Sequence, residues 1–266
     1  KHSIWGGRSR LAVIGSGPSG VAAASALLES GHEVVMFDFG NEKDEEAEKI
    51  KLKLKANNLD NSVLKALKPK ISKDSPFKIS LNLIKSLIGR SGVLNFMDKP
   101  NFGSYFVYKD TDWGIPIECN ENIARSLAKS GLSNVWGATC YPLTQEDYNK
   151  WPIAMKDMES HYRSVSELLS ITEANDDLNA IYPKYRKAPR HITLNENSDS
   201  IYKKWMINRD VLVKHSIWGG RSRLAVRTKE EKASKTCVYC GHCLSGCPHD
   251  AIYKSEFTIK KKKKSK

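Results

Sequence analysis

The chain has 266 residues, 40% of them hydrophobic, which is typical of a globular protein with a buried core. Its net charge of +13 is unevenly spread, because residues 254–266 supply +6 of it through seven lysines and one glutamate. This lysine run predicts a solvated, mobile tail, with contact to an acidic membrane surface or to nucleic acid as the alternative. It has no interleaved aromatic residues on which bases could stack. No apolar run reaches about 18 residues, so the sequence predicts no transmembrane segment.

The cysteines indicate a reducing compartment. Four of the six lie between Cys237 and Cys247, which is too dense for a disulfide framework in a chain of this length. The first ten residues also lack the apolar core of a secretory signal peptide. We therefore expect a cytoplasmic protein.

One segment of thirteen residues occurs twice. KHSIWGGRSRLAV stands at 1–13 and again, identically, at 214–226. Two isolated copies do not predict a solenoid, which needs three or more stacked repeats. No function is assigned to the duplicated leader at 1–10.

The residues after the leader predict a β-loop-α-β unit. Leu11–Ile14 is a short apolar strand, and a glycine-rich loop separates it from an alanine-rich helix at 19–30. Gly31 stands where a helix C-terminal glycine is expected, and the sequence EVVMF at 33–37 predicts a second strand.

Later elements follow from local signals. Asn41 is placed to cap a further helix, and the mixed stretch at 57–114 predicts an insertion. Residues 144–169 predict a helix with a break at Trp151-Pro152, and 201–226 predicts strands.

The loop after the first strand has the pattern G-x-G-x-x-G, formed by Gly15, Ser16, Gly17, Pro18, Ser19 and Gly20. The pattern gains specificity because it leaves a strand, opens a helix and is followed by an acidic residue, Asp38. Its first glycine permits a tight turn, its second leaves room for a pyrophosphate, and its third lets the helix pack on the strand. We predict a dinucleotide site in which Asp38 accepts hydrogen bonds from the adenosine ribose. The pattern leaves FAD and NAD both open.

Two segments resemble one family of flavoenzymes. GSGPSG with the VAAASALLESGHEVVMFD that follows it, and SGLSNVWGATCYPLTQEDYNKWPI at 130–153, are similar to the FAD-contacting regions of glucose–methanol–choline oxidoreductases. The resemblance implies FAD as the cofactor. It also implies that a second group of residues lies beside the flavin: Ser133, Asn134, Trp136, Gly137 and Ala138.

The resemblance implies an α/β fold with three parts. A Rossmann-like FAD-binding domain at 11–200, with a helical insertion at about 57–114, follows the leader. A cysteine-rich segment with a lysine-rich tail then occupies 201–266. In the family, the substrate domain, the catalytic histidine and the last FAD strand lie in a further C-terminal half. We therefore expect this chain to correspond to the N-terminal half, and no catalytic residue is assigned.

The cysteine-rich segment contains the pattern C-x2-C-x2-C-x3-C-P, formed by Cys237, Cys240, Cys243 and Cys247 with Pro248. This is the spacing of a bacterial ferredoxin, and its short spacers allow three thiolates to converge on one [4Fe–4S] cluster. The fourth ligand stays open between Cys247 and a remote cysteine, Cys140 or Cys119. Zinc and redox-active or buried thiols are the alternatives.

Together these features predict a flavin-dependent oxidoreductase. It would oxidise an alcohol, sugar or polyol by hydride transfer to FAD, with electrons leaving through the cluster if one is bound. An electron-acceptor protein or a completing subunit is the expected partner, and without the C-terminal half we expect inefficient turnover. The alternatives are a non-catalytic iron–sulfur electron-transfer subunit and an inactive, truncated product.

Overall fold

The computed structural model describes residues 11–42, 45–56, 107, 126–186, 191–228, 235–241, 243 and 246–264. These residues form a mixed α/β structure with a two-stranded parallel sheet and seven α-helices. The chain divides into two compact units. The first is drawn from Lys1–Trp136, Gly241–Pro248 and Lys254–Lys266, and the second from Gly137–Cys240 and His249–Tyr253. The leader at 1–10 and the insertion at 57–114, apart from Val107, lie outside the described residues.

Nine helices and strands follow one another along the described residues. In chain order they are β1 (Leu11–Ile14), α1 (Pro18–Glu29), β2 (Val34–Phe37), α2 (Glu45–Lys55), α3 (Gln145–Tyr148), α4 (Met155–Leu168), α5 (Glu196–Ile207), α6 (Arg209–Lys214) and α7 (Ser255–Lys264). Two 3-10 turns, at Gly131–Asn134 and Asp177–Ala180, complete the set. None of these helices is both long enough and apolar enough to cross a bilayer.

The predicted β-loop-α-β unit is confirmed. β1 and β2 pair in parallel, with the register running from Leu11 opposite Val34 to Ile14 opposite Phe37. Parallel neighbours require a crossover, which α1 supplies. Because the two strands run the same way, the loop after β1 and the residue after β2 lie at the same edge of the sheet.

The end of α1 is fixed by Gly31, as predicted. Gly31 has φ +82°, and its N–H donates to Leu28 O at 3.1 Å while the His32 N–H donates to Leu27 O at 3.0 Å. These two bonds form a Schellman motif, which favours glycine at the left-handed position. The motif turns the chain into β2.

The expectation that Asn41 caps the next helix is wrong. α2 begins at Glu45, and the backbone of Asn41 instead pairs with residues near Ala128. The Asn41 N–H donates to Leu127 O at 3.1 Å, and its carbonyl accepts from the Lys129 N–H at 3.0 Å. A long-range backbone pairing has therefore replaced the local cap.

The lysine run at 260–264 is helical and belongs to α7, although Lys260, Lys261 and Lys263 are exposed to solvent. α7 packs along α1, and Lys262 Nζ lies 2.7 Å from Glu29 Oε1. Thr258 is buried and Ile259 half-buried on the packed side. The packed first turns of α7 thus anchor the lysines that follow.

The second unit contains the predicted helix break. α3 begins after a capping box, in which Asp147 Oδ2 accepts from the Thr144 N–H at 2.7 Å. The hydrogen bonds from the Thr144 N–H and from the Thr144 hydroxyl lower the pKa of the Asp147 carboxyl. α4 begins beyond Trp151-Pro152, as the proline position predicts.

The strands expected at 201–226 are largely wrong. α5 and α6 occupy 13 of these 26 positions. Asn195 caps α5 by accepting the Ser198 N–H at 2.8 Å. Within the described part of this range, strand-like pairing is confined to Leu224–Val226, which forms isolated antiparallel bridges to Thr139, Ile171 and Ile252.

The second repeat copy contributes a buried arginine to this unit. Arg223 is 2% exposed and Glu173 is 3% exposed, and their side chains lie 3.9 Å apart. Arg223 Nη2 also donates to Tyr182 O at 2.6 Å, and Glu173 accepts the Tyr185 and Arg186 N–H groups at 3.1 Å. Several parts of the unit therefore depend on one buried ion pair.

Candidate functional site

The glycine loop connects β1 to the N-terminus of α1. Gly15 takes φ +91°, a left-handed conformation that favours glycine, and its N–H donates to Phe37 O at 2.7 Å. α1 begins at Pro18, with Gly17 as its N-cap and no side-chain cap. Helix geometry leaves the backbone N–H groups of the first turn without partners inside the helix. Pro18 has no N–H, and the N–H groups of Ser19 and Gly20 are among these donors. This is the arrangement that binds anions at helix N-termini.

Gly17 and Gly20 have different structural roles. A Cβ at Gly20 would lie 2.1 Å from Gly15 O, so glycine is needed for the close approach of α1 to the loop. A Cβ at Gly17 would meet no atom within 4 Å, and the backbone there (φ −65°, ψ 175°) suits any residue. The protein therefore does not itself require glycine at Gly17. The open space above it is where the sequence places a pyrophosphate.

Asp38 lies beside the loop because it follows β2 at the same sheet edge. Its Oδ2 accepts the Ser16 N–H at 2.6 Å, a contact that the sequence did not reveal. The side chain is exposed, and no donor from the described residues reaches Oδ1. One carboxylate oxygen thus orients the loop, while the other is available to a ribose hydroxyl.

The second predicted segment packs against the glycine loop. The Ser130 N–H donates to Ser16 Oγ at 2.7 Å, although the two residues are 114 positions apart. A Cβ on Gly131 would be in ordinary van der Waals contact with Gly17 Cα, at 3.6 Å. The structure therefore brings together two segments that were predicted to contact one cofactor. Ser130 and its bond to Ser16 were not singled out from the sequence.

Ser133 and Asn134 shape the turn with their side chains. Ser133 Oγ donates to Ser130 O at 2.6 Å and accepts the Ser255 N–H at 3.2 Å. Asn134 Nδ2 donates to Lys129 O and Gly131 O at 2.9 and 2.8 Å. Both residues are buried, and Val135 beneath them packs with Val107 and Ala128. Any contact of this turn with a ligand would involve mainly its backbone.

The remaining predicted flavin neighbours follow this turn. Trp136 is half-buried in the first unit. Gly137 and Ala138 belong to the second unit, where Ala138 is fully buried, has φ +66° and accepts the Ala225 N–H at 2.8 Å. Ala138 therefore has a structural role of its own in that unit.

The four motif cysteines fall in both units. Cys237 and Cys240 belong to the second, and Cys243 and Cys247 to the first. Cys240 and Cys243 are exposed, whereas Cys247 is buried. Where the structure describes the chain, no three His, Cys, Asp or Glu side chains are grouped so that they could hold a metal. His242 lies outside the described residues, and the cluster stays a prediction from spacing.

Cys140, one of the two remote cysteines that could supply a fourth ligand, lies in a protected position. Its N–H donates to Arg223 O at 3.0 Å, and burial raises the pKa of its thiol. The thiolate is the form that binds metals and reacts with electrophiles. At neutral pH the Cys140 thiol is therefore mainly protonated.

We expect Cys140 to react with iodoacetamide more slowly than the exposed Cys240 at neutral pH. Burial both limits access and disfavours the thiolate, so the labelling rate of Cys140 should still be rising above pH about 8.5, the ordinary thiol pKa. Mass spectrometry of peptides from one labelled sample measures both cysteines together. Equal labelling rates at neutral pH would contradict this assignment.

No protein-family model matches the chain, and no curated protein matches it. The sequence motifs and the geometry of the glycine loop are therefore the features that point to a function.

Proposed function

We propose that the chain is the FAD-binding part of an oxidoreductase that acts on an alcohol, sugar or polyol, as its resemblance to glucose–methanol–choline oxidoreductases implies. The observation that carries the proposal is the 2.7 Å hydrogen bond from the Ser130 N–H to Ser16 Oγ. It places the 130–134 turn against the glycine loop, as a shared cofactor requires. On this proposal the βαβ unit begins a Rossmann-like domain.

The residues present fit a dinucleotide in two respects. The space above Gly17 is open, next to the N-terminal donors of α1. The Ser130 hydroxyl, in the turn that packs on the loop, is buried without a partner among the described residues, and a ligand could supply that partner. When bound, FAD supplies a hydride acceptor at flavin N5.

Each part of the site then has a task. Ser19 and Gly20 donate backbone N–H groups to the pyrophosphate, and Asp38 Oδ1 accepts from the ribose. Ser16 fixes the loop through two bonds, one to Asp38 and one from Ser130. The turn at 130–134 covers one side of the cofactor. An alcohol or sugar would be the substrate and a separate protein the electron acceptor.

We expect Asp38→Ala to weaken FAD binding by about 1.5–3 kcal/mol, which is roughly a 10- to 150-fold rise in Kd. The alanine removes both the ribose contact and the acceptor for the Ser16 N–H. Asp38→Asn is the matched control, because it keeps an acceptor oxygen for Ser16 and should lose less. Quenching of flavin fluorescence measures both Kd values. A Kd for Asp38→Ala equal to that of the wild type would remove Asp38 from the site.

The oxidation step has a separate test. A base must accept the substrate hydroxyl proton within hydrogen-bond reach, and no residue of the chain is assigned to that role. Anaerobic mixing of the FAD-loaded protein with a panel of alcohols and sugars follows the loss of flavin absorbance. Rapid bleaching by one class would identify the substrate and place a base within the chain. If dithionite reduces the bound flavin but no alcohol or sugar of the panel bleaches it, the chain binds flavin without oxidising a substrate.

We also propose, from spacing alone, that Cys237, Cys240 and Cys243 bind one iron–sulfur cluster. Anaerobic reconstitution should give about four iron and four sulfide per chain. Cys140→Ser should leave these contents unchanged, whereas Cys240→Ser should lower them. One equivalent of zinc without iron would assign the motif to a structural metal site.

A further inference from the structure

The strongest charged feature outside the proposed cofactor site is the end of α7. Five consecutive lysines, Lys260–Lys264, close this helix. The helical conformation places like charges three and four residues apart, an arrangement that is unfavourable in the absence of counter-charges. Two carboxylates are close by, since Glu256 Oε1 lies 2.5 Å from Lys260 Nζ and Glu29 pairs with Lys262. The helix end therefore gathers five positive charges beside these two negative ones.

Three lysines of α7 are exposed, and one of them, Lys263, also borders the side of α7 that faces α1. Lys260, Lys261 and Lys263 are exposed, while Lys262 is half-buried and paired with Glu29. The packing of α7 on α1 therefore fixes which lysines face outward. A flexible tail would have no such preference, so the helix presents a defined basic surface.

An apolar groove adjoins these lysines. It has a volume of about 260 Å³ and lies between α1, β2 and α7. Leu28, Val34, Met36 and Ile259 form its walls, and Lys262 and Lys263 form its border. An anionic amphiphile has an apolar chain and a negatively charged head group. The apolar walls of the groove suit the chain, and the ammonium groups at its border suit the head group.

The same features disfavour nucleic acid. Residues 255–264 contain no arginine, and the single aromatic residue, Phe257, is half-buried, so no exposed ring is present on which bases could stack. A nucleic acid would also have no use for an apolar groove. Lysine clusters on surface helices are in contrast typical of contacts with anionic lipid.

We propose that α7 and its groove form a docking surface for a membrane that contains anionic phospholipid. The ammonium groups of Lys260, Lys261 and Lys263 contact head-group phosphates, and the groove accepts acyl carbon at the bilayer surface. The contact is peripheral. It is independent of the FAD proposal, since no residue of α7 is assigned to the cofactor.

The test is co-sedimentation of the full chain with vesicles of phosphatidylcholine, with or without phosphatidylserine. We expect binding only when phosphatidylserine is present, and weaker binding as salt is raised. The triple variant Lys260→Gln, Lys261→Gln, Lys263→Gln should lose on the order of 100-fold in vesicle affinity. Glutamine retains high helix propensity, so circular dichroism should show an unchanged fold.

The matched control removes the same charge elsewhere. Lys49→Gln, Lys51→Gln, Lys53→Gln lowers the net charge equally on α2 and should leave vesicle binding almost unchanged. Equal losses in the two triple variants would mean that only net charge matters, and would overturn the proposal. Binding independent of phosphatidylserine, or binding of RNA but not of vesicles, would overturn it as well.

Discussion

Replacing Gly17 with valine should abolish the retention of FAD while the first unit stays folded. The backbone of Gly17 suits any residue, and a Cβ there meets no protein atom within 4 Å. A valine side chain would occupy the space assigned to the pyrophosphate, and its bulk would keep the phosphates from the N-terminus of α1. The flavin released on denaturation, measured per chain after gel filtration, gives the result.

The control for this experiment adds bulk to the same helix away from the loop. Ala23 is exposed on α1, so Ala23→Val should retain FAD at the wild-type ratio. Thermal unfolding of both variants checks that the fold is kept. Wild-type flavin content in Gly17→Val would mean that the cofactor, if any, binds elsewhere.

Glu173→Ala should give a large loss of stability in the second unit, about 3–5 kcal/mol. It would leave the buried Arg223 guanidinium without its ion-pair partner and two backbone N–H groups, of Tyr185 and Arg186, without their acceptor. The cost arises from the uncompensated charge and donors in the interior. Urea unfolding followed by tryptophan fluorescence measures the free energy of unfolding.

An exposed ion pair supplies the comparison. Glu159 pairs with Arg163 one turn along α4 at 3.7 Å, and both side chains are largely in solvent. Glu159→Ala should therefore cost only about 0.3–0.5 kcal/mol. If the two variants unfold at the same urea concentration, the buried pair is not the anchor of the second unit.

The β-loop-α-β unit could be predicted because its signals are local. The first strand, the glycine loop, the alanine-rich helix, Gly31 and the second strand follow one another within 27 residues, and each signal acts through its own neighbours. The same reasoning failed at Asn41. A side chain suited to capping does not reveal that the backbone will pair with Ala128, far away in sequence.

The candidate site also combines residues that local sequence signals predict with contacts that depend on long-range packing. Gly15, Gly17, Gly20 and Asp38 could be assigned from spacing, whereas the bond from Ser130 to Ser16 depends on packing across 114 residues. The resemblance pointed to Ser133 and Asn134 but could not show that their side chains hold the turn. For the motif cysteines, the prediction of a cluster still depends on their spacing alone.

The repeated segment shows how far tertiary context decides structure. Leu11-Ala12-Val13 lies in β1 and pairs in parallel with β2. The identical Leu224-Ala225-Val226 forms antiparallel bridges in the second unit, with Ala225 fully buried. The local sequence favours an extended conformation in both copies, while the partner and direction come from the surroundings.

We propose that the glycine loop of the first unit binds FAD, and the decisive measurement is the FAD content of the purified chain. After incubation with excess FAD and gel filtration, we expect one FAD per chain in the wild type. We expect no retained NAD under the same conditions. A wild-type chain that retains no FAD would mean that FAD does not bind at this loop. The same would follow if Gly17→Val and Asp38→Ala each retained as much FAD as the wild type.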